Sequence, residues 1–433
     1  MKYDLVATAT FGLEAVVRRE IENLGFKVLK TEDGRVTYTA LEDFGLVRAI
    51  AKSNLWLRSA DRVYLKMGEF DASTFEELYQ GIKKIEWENL IPYDGRIVVV
   101  GTSVKSTLHS VPACQSIINK AIVDRLINAY RDTNHMSVKQ TTIGKSDSET
   151  LIDEPDNVLP ESGATYKVRF AFLKDHVLVL VDTSGDGLHK RGYRVANVDA
   201  PIKETLAAAL VQLSFWRAGR ILVDPCCGSG TIGIEAALIG MNIAPGLTRK
   251  FAAEDWRTDG EWAAVWKEER QAAYAAIDYD VSLDITIGDI DQRAIAAAKE
   301  NAEEAGVDDQ IKFITGDMAA LQRFGQKYSE GDNQSSNEYY SEPDAMPTEG
   351  IIICNPPYGE RIGEKKEIEK VYKSLREFHE CNSTWSLFII TSDKDVENKV
   401  FGRPADRRRK LYNGMIETTY YQFHGERTDK QKK

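Results

Sequence analysis

The chain is poor in cysteine and histidine, with five of one and six of the other in 433 residues. The cysteines are Cys114, Cys226, Cys227, Cys354 and Cys381. Their odd number, and their place beside apolar segments, predicts reduced thiols rather than a disulfide framework. Paired CxxC or His motifs at ligand spacing are missing, so no metal site is expected. No apolar run reaches the roughly 18–20 residues of a membrane span. Met1 to Phe11 lacks the basic and apolar blocks of a secretory signal and reads as the start of a folded domain. With the thiols, this predicts a cytoplasmic location and no membrane partner. A basic excess is missing as well: 56 Lys and Arg face 67 Asp and Glu, for a net charge of −11. That argues against coating a nucleic acid by bulk charge. Positive charge is instead local, at Lys190-Arg191 with Arg194, at Arg407-Arg408-Arg409-Lys410, and at Lys430 to Lys433. The last of these reads as solvated surface.

The length implies two or three domains. In the first sixty or so residues, Leu5 to Ala9 reads as a strand. Leu13, Val16, Val17, Ile21 and Leu24 recur at helical spacing, and Gly25 stops that helix. Val36 to Thr39 is a second strand, and 44–57 a second helix. A further α/β stretch has helices over 75–82 and 117–130 and a buried strand over 97–100. The polar stretch 139–162 follows, and 166–172 and 177–181 read as paired strands. From about Asp186, strand-like runs at 221–223, 285–287, 311–314, 351–354 and 387–391 alternate with helices. Such alternation predicts an α/β domain with a mostly parallel sheet. Glu417 to Phe423 reads as an edge strand. Residues 326–348 are too polar to bury a core and read as a mobile insert.

Chemistry concentrates at the ends of the later strands. Asp224-Pro-Cys-Cys-Gly228-Ser-Gly230-Thr231 follows an apolar strand and opens a helix. Glycines there let the backbone approach a ligand and aim helix N–H groups at it. Gly228, Gly230 and Gly233 also spell GxGxxG, but Asp224 places a carboxylate where a pyrophosphate would sit. The ligand implied is cationic or neutral at that point, as S-adenosylmethionine is. Asp224, Cys226, Gly228, Gly230 and Thr231 are the candidate cofactor contacts in this loop. Asp289 follows the next strand and suits a ribose, whereas Asp291 suits a helix cap. Asp317 follows the third and could accept an adenine amino group. Asn355-Pro356-Pro357-Tyr358 ends the fourth. A side-chain amide and a proline carbonyl can hold an exocyclic amino group, and two prolines stiffen the turn. Tyr358 can stack on an extruded base. Cys226, Cys227 and Cys354 read as packing residues rather than as nucleophiles.

These motifs, with Leu188-His-Lys-Arg-Gly-Tyr-Arg194, Ala200-Pro-Ile-Lys-Glu-Thr-Leu206, Asn242-Ile-Ala-Pro-Gly246, Asn355-Pro-Pro-Tyr-Gly-Glu-Arg361 and Lys410-Leu-Tyr-Asn-Gly414, resemble the THUMP-domain-containing RNA guanine-N2 methyltransferases. Ile91 to Ser110, with Gly101-Thr-Ser-Val-Lys-Ser106, resembles the THUMP part. The resemblance covers nearly the whole chain. It implies a Rossmann-like class I methyltransferase domain with a mostly parallel seven-stranded sheet, preceded by α+β ferredoxin-like and THUMP domains. The expected spans are 1–65, 66–160 and 161–425. It implies S-adenosyl-L-methionine as cofactor and Asn355 to Tyr358 as the catalytic turn. RNA contacts are implied at Lys105, Lys190, Arg191 and Arg194. The implied reaction is N2-methylation of a guanosine, in 23S ribosomal RNA or alternatively in tRNA. N6-methylation of DNA adenine and a non-catalytic RNA-binding role are the rival readings.

Overall fold

The computed structural model describes residues 4–40, 45–131, 138–143, 150–155, 159–196, 201–256, 260–316, 350–357 and 364–426. The first unit runs β1 (Asp4–Ala9), α1 (Glu14–Asn23), β2 (Lys27–Glu32), β3 (Arg35–Thr39), α2 (Leu46–Trp56) and β4 (Ala60–Asp71). Next come α3 (Phe75–Lys83), β5 (Arg96–Val104), α4 (Val111–Arg131) and the hairpin β6 (Val138–Ile143) and β7 (Thr150–Pro155). Strands β8 (Thr165–Leu173) and β9 (His176–Asp182) close this half. The start of α3 is specified locally: the Thr74 hydroxyl accepts the Glu77 N–H while the Glu77 carboxylate accepts the Thr74 N–H.

One sheet joins seven of the nine strands up to residue 182, in the order β2-β3-β1-β4-β9-β8-β5, and β6 and β7 pair only with each other. β8 and β9 do pair, antiparallel, as expected. They pair outward with β5 and β4, however, so the expected division at 160/161 cuts across this sheet. The alternating burial of β8, with Tyr166, Val168, Phe170 and Phe172 inward, places one face of it in the first core. The polar stretch over 139–162 contains the β6–β7 hairpin.

The second half runs α5 (Glu204–Leu213), β10 (Ile221–Asp224), α6 (Thr231–Gly240), α7 (Gly260–Ala275), β11 (Ile285–Asp289), α8 (Gln292–Ala305) and β12 (Ile311–Thr315). It continues with β13 (Gly350–Cys354), α9 (Glu364–Cys381), β14 (Ser386–Thr391), α10 (Val396–Val400), β15 (Arg407–Asn413) and β16 (Ile416–Phe423). The sheet order is β12-β11-β10-β13-β14-β16-β15, with the first five strands parallel. β13 is buried at every position and β10 at all but the first, the pattern of parallel strands covered on both faces. Strand 416–423 is not the edge: β15 pairs with it on the outside. Four consecutive basic residues hide the strand pattern of β15.

The halves are keyed together by polar contacts. Glu20 of α1 accepts the Arg58 and Ser59 N–H groups within the first half, at 3.0 and 3.1 Å, and the Gln212 side-chain amide N–H from the second, at 2.5 Å. Arg58 donates to the Ile243 carbonyl at 2.6 Å, and Arg409 to the Gly12 carbonyl at 2.8 Å. Leu13 and Val16 of the first unit join the second core beside Leu206, Leu411 and Tyr420. Among the described residues no helix is long and apolar enough to cross a membrane.

Candidate functional site at the C-terminal edge of the parallel sheet

Parallel pairing brings the predicted residues to one edge. β10 lies between β11 and β13, with Asp224 level with Ile287 and Val223 level with Ile352. Asp224, Asp289 and Asn355 therefore follow neighbouring strands on the same side, where open α/β sheets bind ligands. Cys226 in the loop after β10 packs into the same apolar cluster as Cys354 at the end of β13.

The glycine loop is held from several directions. Gly228 and Gly230 take φ of 52° and 80°, the left-handed region in which a Cβ is costly. A Cβ on Gly230 would also lie 2.9 Å from that of Ala298, and one on Gly233 would lie 2.5 Å from Ile287 Cγ2. Gly233 thus serves the packing of α6 on the sheet. The Gly228 N–H donates to Asp289 Oδ2 at 3.0 Å, and the Asp291 N–H to Asp289 Oδ1 at 3.0 Å. Asp291 caps α8 as expected, accepting the Arg293 N–H at 2.8 Å. Each Asp289 oxygen keeps a lone pair for a further donor such as a ribose hydroxyl.

Asp224 is fully buried. Its Oδ1 accepts the Cys226 N–H at 3.3 Å, while its Oδ2 has no partner among the described residues. Burial pushes its carboxyl up to about 8; the Cys226 N–H pulls it back, and the charge of Asp289 adds to the rise. A buried carboxylate with an orphaned oxygen is costly by itself and calls for a cation. That fits the cationic end of S-adenosylmethionine better than a pyrophosphate. Burial also raises the Cys227 and Cys354 thiols well above their ordinary range, which suits packing and opposes nucleophilic attack.

Thr231 opens α6 and accepts from Arg194 Nη2 at 3.1 Å. Arg194 also donates to Glu204 at 2.8 Å and to the Ile202 carbonyl at 2.8 Å, so it braces the loop from within. Arg191 corrects the sequence reading. It is 3 % exposed, pairs with the fully buried Glu235 at 3.4 Å, and donates to the Leu188 carbonyl at 2.5 Å and to that of Arg58. A guanidinium spent in this way cannot reach RNA. Lys190 is exposed beside Asp186 at 3.0 Å. Lys105 is exposed just beyond β5, at φ 51°. Asn355 is half-buried, Pro356 buried and Pro357 exposed. Asp317, Tyr358 and the insert 326–348 lie outside the described residues.

One residue escaped the sequence reading. Asn301 of α8 accepts the Val195 and Ala196 N–H groups at 3.0 and 2.9 Å. It donates to the carbonyls of Ala196 and Ser229 at 3.0 and 3.1 Å. It clips segment 195–196 onto the glycine loop, and a lone Asn within a helical pattern carries no signal for that. Among the described residues no cluster of His, Cys, Asp and Glu could hold a metal ion.

With this geometry in place, similarity to known proteins decides the family. A model of the RMKL-like methyltransferase domain matches residues 191–333 and 341–422. Models of the RlmL ferredoxin-like domain and the THUMP domain match 4–64 and 72–139. A Bacillus subtilis (strain 168) protein named "Putative RNA methyltransferase YpsC" is 44% identical over 98% of this chain and 96% of its own. The chain belongs to the RMKL-like methyltransferase family. The ribosomal RNA large subunit methyltransferase K/L of Syntrophotalea carbinolica is 31% identical over 96% of this chain and 53% of its own. The chain thus spans about half the length of that relative. A crystal structure of SMU.472, described as "a putative methyltransferase complexed with SAH", aligns at TM-score 0.79 with 41% identity over 99% of both chains. In this RMKL-like chain the parallel sheet is the methyltransferase domain, and the joint sheet before it carries the ferredoxin-like and THUMP domains.

Proposed function

We propose that this protein transfers a methyl group from S-adenosylmethionine to the exocyclic N2 of a guanosine in RNA, with large-subunit ribosomal RNA as the substrate. The observation that carries the reading is the orphaned, buried Asp224 Oδ2 beside the strand that ends in Asn355-Pro-Pro. The membership in a family of methyltransferases, the THUMP match and the names of the relatives support RNA as the target. The SAH complex of SMU.472 supports the cofactor.

When bound, S-adenosylmethionine supplies an electrophilic methyl group on a sulfonium sulfur. Asp224 would release its proton to solvent and, as a carboxylate, hold the cationic end of the ligand. The N–H groups of the glycine loop and the lone pairs of Asp289 hold the nucleoside part. Asn355 and the Pro356 carbonyl would accept the two N–H bonds of the target amine, which aims the nitrogen lone pair and restores density withdrawn by the purine, and the surplus proton of the methylated nitrogen would leave to solvent. Tyr358 stacks on the extruded base. Orientation by the stiff Pro-Pro turn would supply most of the acceleration.

The test is transfer of label from S-adenosylmethionine to unmodified ribosomal RNA and tRNA, followed by digestion to nucleosides. N2-methylguanosine from ribosomal RNA is the expected product. Methyladenosine, or label in DNA alone, overturns the reading, and label in tRNA alone overturns the ribosomal assignment. Asn355→Ala should lose transfer while cofactor binding survives.

A further inference from the structure

The four-residue run Arg407 to Lys410 has no part in the site described above. It forms most of the edge strand β15, which shows different residues to the two faces of the sheet. Arg407 and Arg409 share a face with Leu411, which packs in the core beside Leu13 and Leu213. On that face a cleft of about 320 Å³ opens at the seam between α1, the end of α5 and the edge of the sheet. Arg19, Arg407, Arg408 and Arg409 line it with Phe215 and Gln422, over a floor at Leu213. Among the described residues no carboxylate lines it.

Three features single out this cleft in a chain of net charge −11. Among the described residues, Arg19 and Arg407 enter no ion pair. Arg408 pairs with Glu397 at 2.7 Å, and Arg409 is held by the Gly12 carbonyl. Phe215 is 53% exposed and sits at φ 60°, a left-handed backbone that a bulky aromatic adopts only under constraint. Arg220 fixes that turn by donating to the Phe215 carbonyl at 3.2 Å. Gln422 is 4% exposed, yet its Oε1 finds no partner among the described residues. The cleft therefore offers unneutralised guanidinium groups, an amide and a presented aromatic face in one place.

We propose that this cleft grips the RNA substrate away from the reacting base, with Arg19 and Arg407 on backbone phosphates and Phe215 stacked on an unpaired base. The chemistry is that of single-stranded nucleic-acid grooves: guanidinium forks match phosphate oxygens, and an aromatic ring accepts any base. An acidic protein surface would satisfy the arginines but would leave the ring and the amide without purpose. The inference rests on the RNA-methyltransferase reading. It adds a contact surface at the seam between the ferredoxin-like domain, which supplies Arg19, and the methyltransferase domain, separate from the THUMP domain and from the catalytic edge.

The test measures binding of unmodified large-subunit ribosomal RNA across a series of potassium chloride concentrations. It compares the full-length protein with Arg19→Ala/Arg407→Ala and with Phe215→Asn, since Asn tolerates the left-handed backbone. Losing two phosphate contacts should lower the salt slope by about 1.4 and weaken affinity by about tenfold. Phe215→Asn should weaken affinity with the slope unchanged. Melting temperature and cofactor binding should stay at the parent values. Unchanged affinity and slope in the arginine variant overturn the proposal and leave the cleft to an acidic partner. Loss of cofactor binding or of stability in both variants also overturns it, because the residues would then be structural. A parent protein that methylates RNA while the variants bind normally removes only this cleft. A parent that neither binds nor methylates RNA removes the function as well.

Discussion

Asp289 accepts the Gly228 N–H at 3.0 Å, and so locks a left-handed glycine of one strand's loop to the carboxylate ending the next strand. The contact makes the cofactor loop and the ribose candidate a single unit. Asp289→Ala should therefore weaken S-adenosylmethionine binding by roughly ten- to a hundredfold, through a lost charge-assisted hydrogen bond and a freed loop. Isothermal calorimetry checks this, and an unchanged affinity would show that the loop holds its shape unaided.

Asp224 links binding and stability to pH. Its carboxyl, raised to about 8, keeps its proton in the cofactor-free fold, whereas the unfolded chain sheds it near the ordinary 3.8. The folded state then binds more protons over that window, so stability falls as pH rises from about 4 to about 8. Cofactor affinity runs the other way: it should climb as pH approaches about 8 and then level off, because the carboxylate is the form that attracts a cation. Asp224→Asn should flatten both profiles, raise the melting temperature at about pH 8 and lose cofactor binding. A cofactor affinity that does not vary between about pH 6 and about pH 9 would contradict the role given to this carboxylate.

Gly230→Ala meets two obstacles: φ of 80° and a Cβ 2.9 Å from that of Ala298. A destabilisation of about 1–3 kcal/mol is expected from the backbone and the clash together. Denaturant unfolding measures it, and Gly230→Ala/Ala298→Gly should recover only the part due to the clash.

Arg191 and Glu235 form a buried pair, so removing one partner strands the other. Arg191→Met should destabilise by on the order of 3–5 kcal/mol, and Arg191→Met with Glu235→Met should regain much of that loss. RNA affinity of the folded single variant should match the parent. A specific loss of RNA binding in a fully stable Arg191→Met protein would return this residue to the RNA surface.

Much of the site was legible because its chemistry is local. Asp224 to Thr231 declares a strand, a tight turn and a helix start within eight residues. Asp291 is a helix cap readable from its neighbours, and Asn355-Pro-Pro can only end a strand. The apolar runs at 221–223, 285–287, 311–314, 351–354 and 387–391 announce a parallel sheet, since strands covered on both faces carry little polar alternation.

Pairing over long distances was decided only by the tertiary structure. β5 joins β8 in parallel across some sixty residues, and nothing in either strand names its partner. That pairing places residues 165–182 in the first half, against the division expected at 160. Burial of charge is likewise a property of the assembled core. Arg191 reads as a surface base until Glu235, forty-four positions away, closes over it. The same packing removes water from Asp224 and sets its affinity for protons, because the cost of charge depends on surroundings that the fold brings together and that local sequence does not contain.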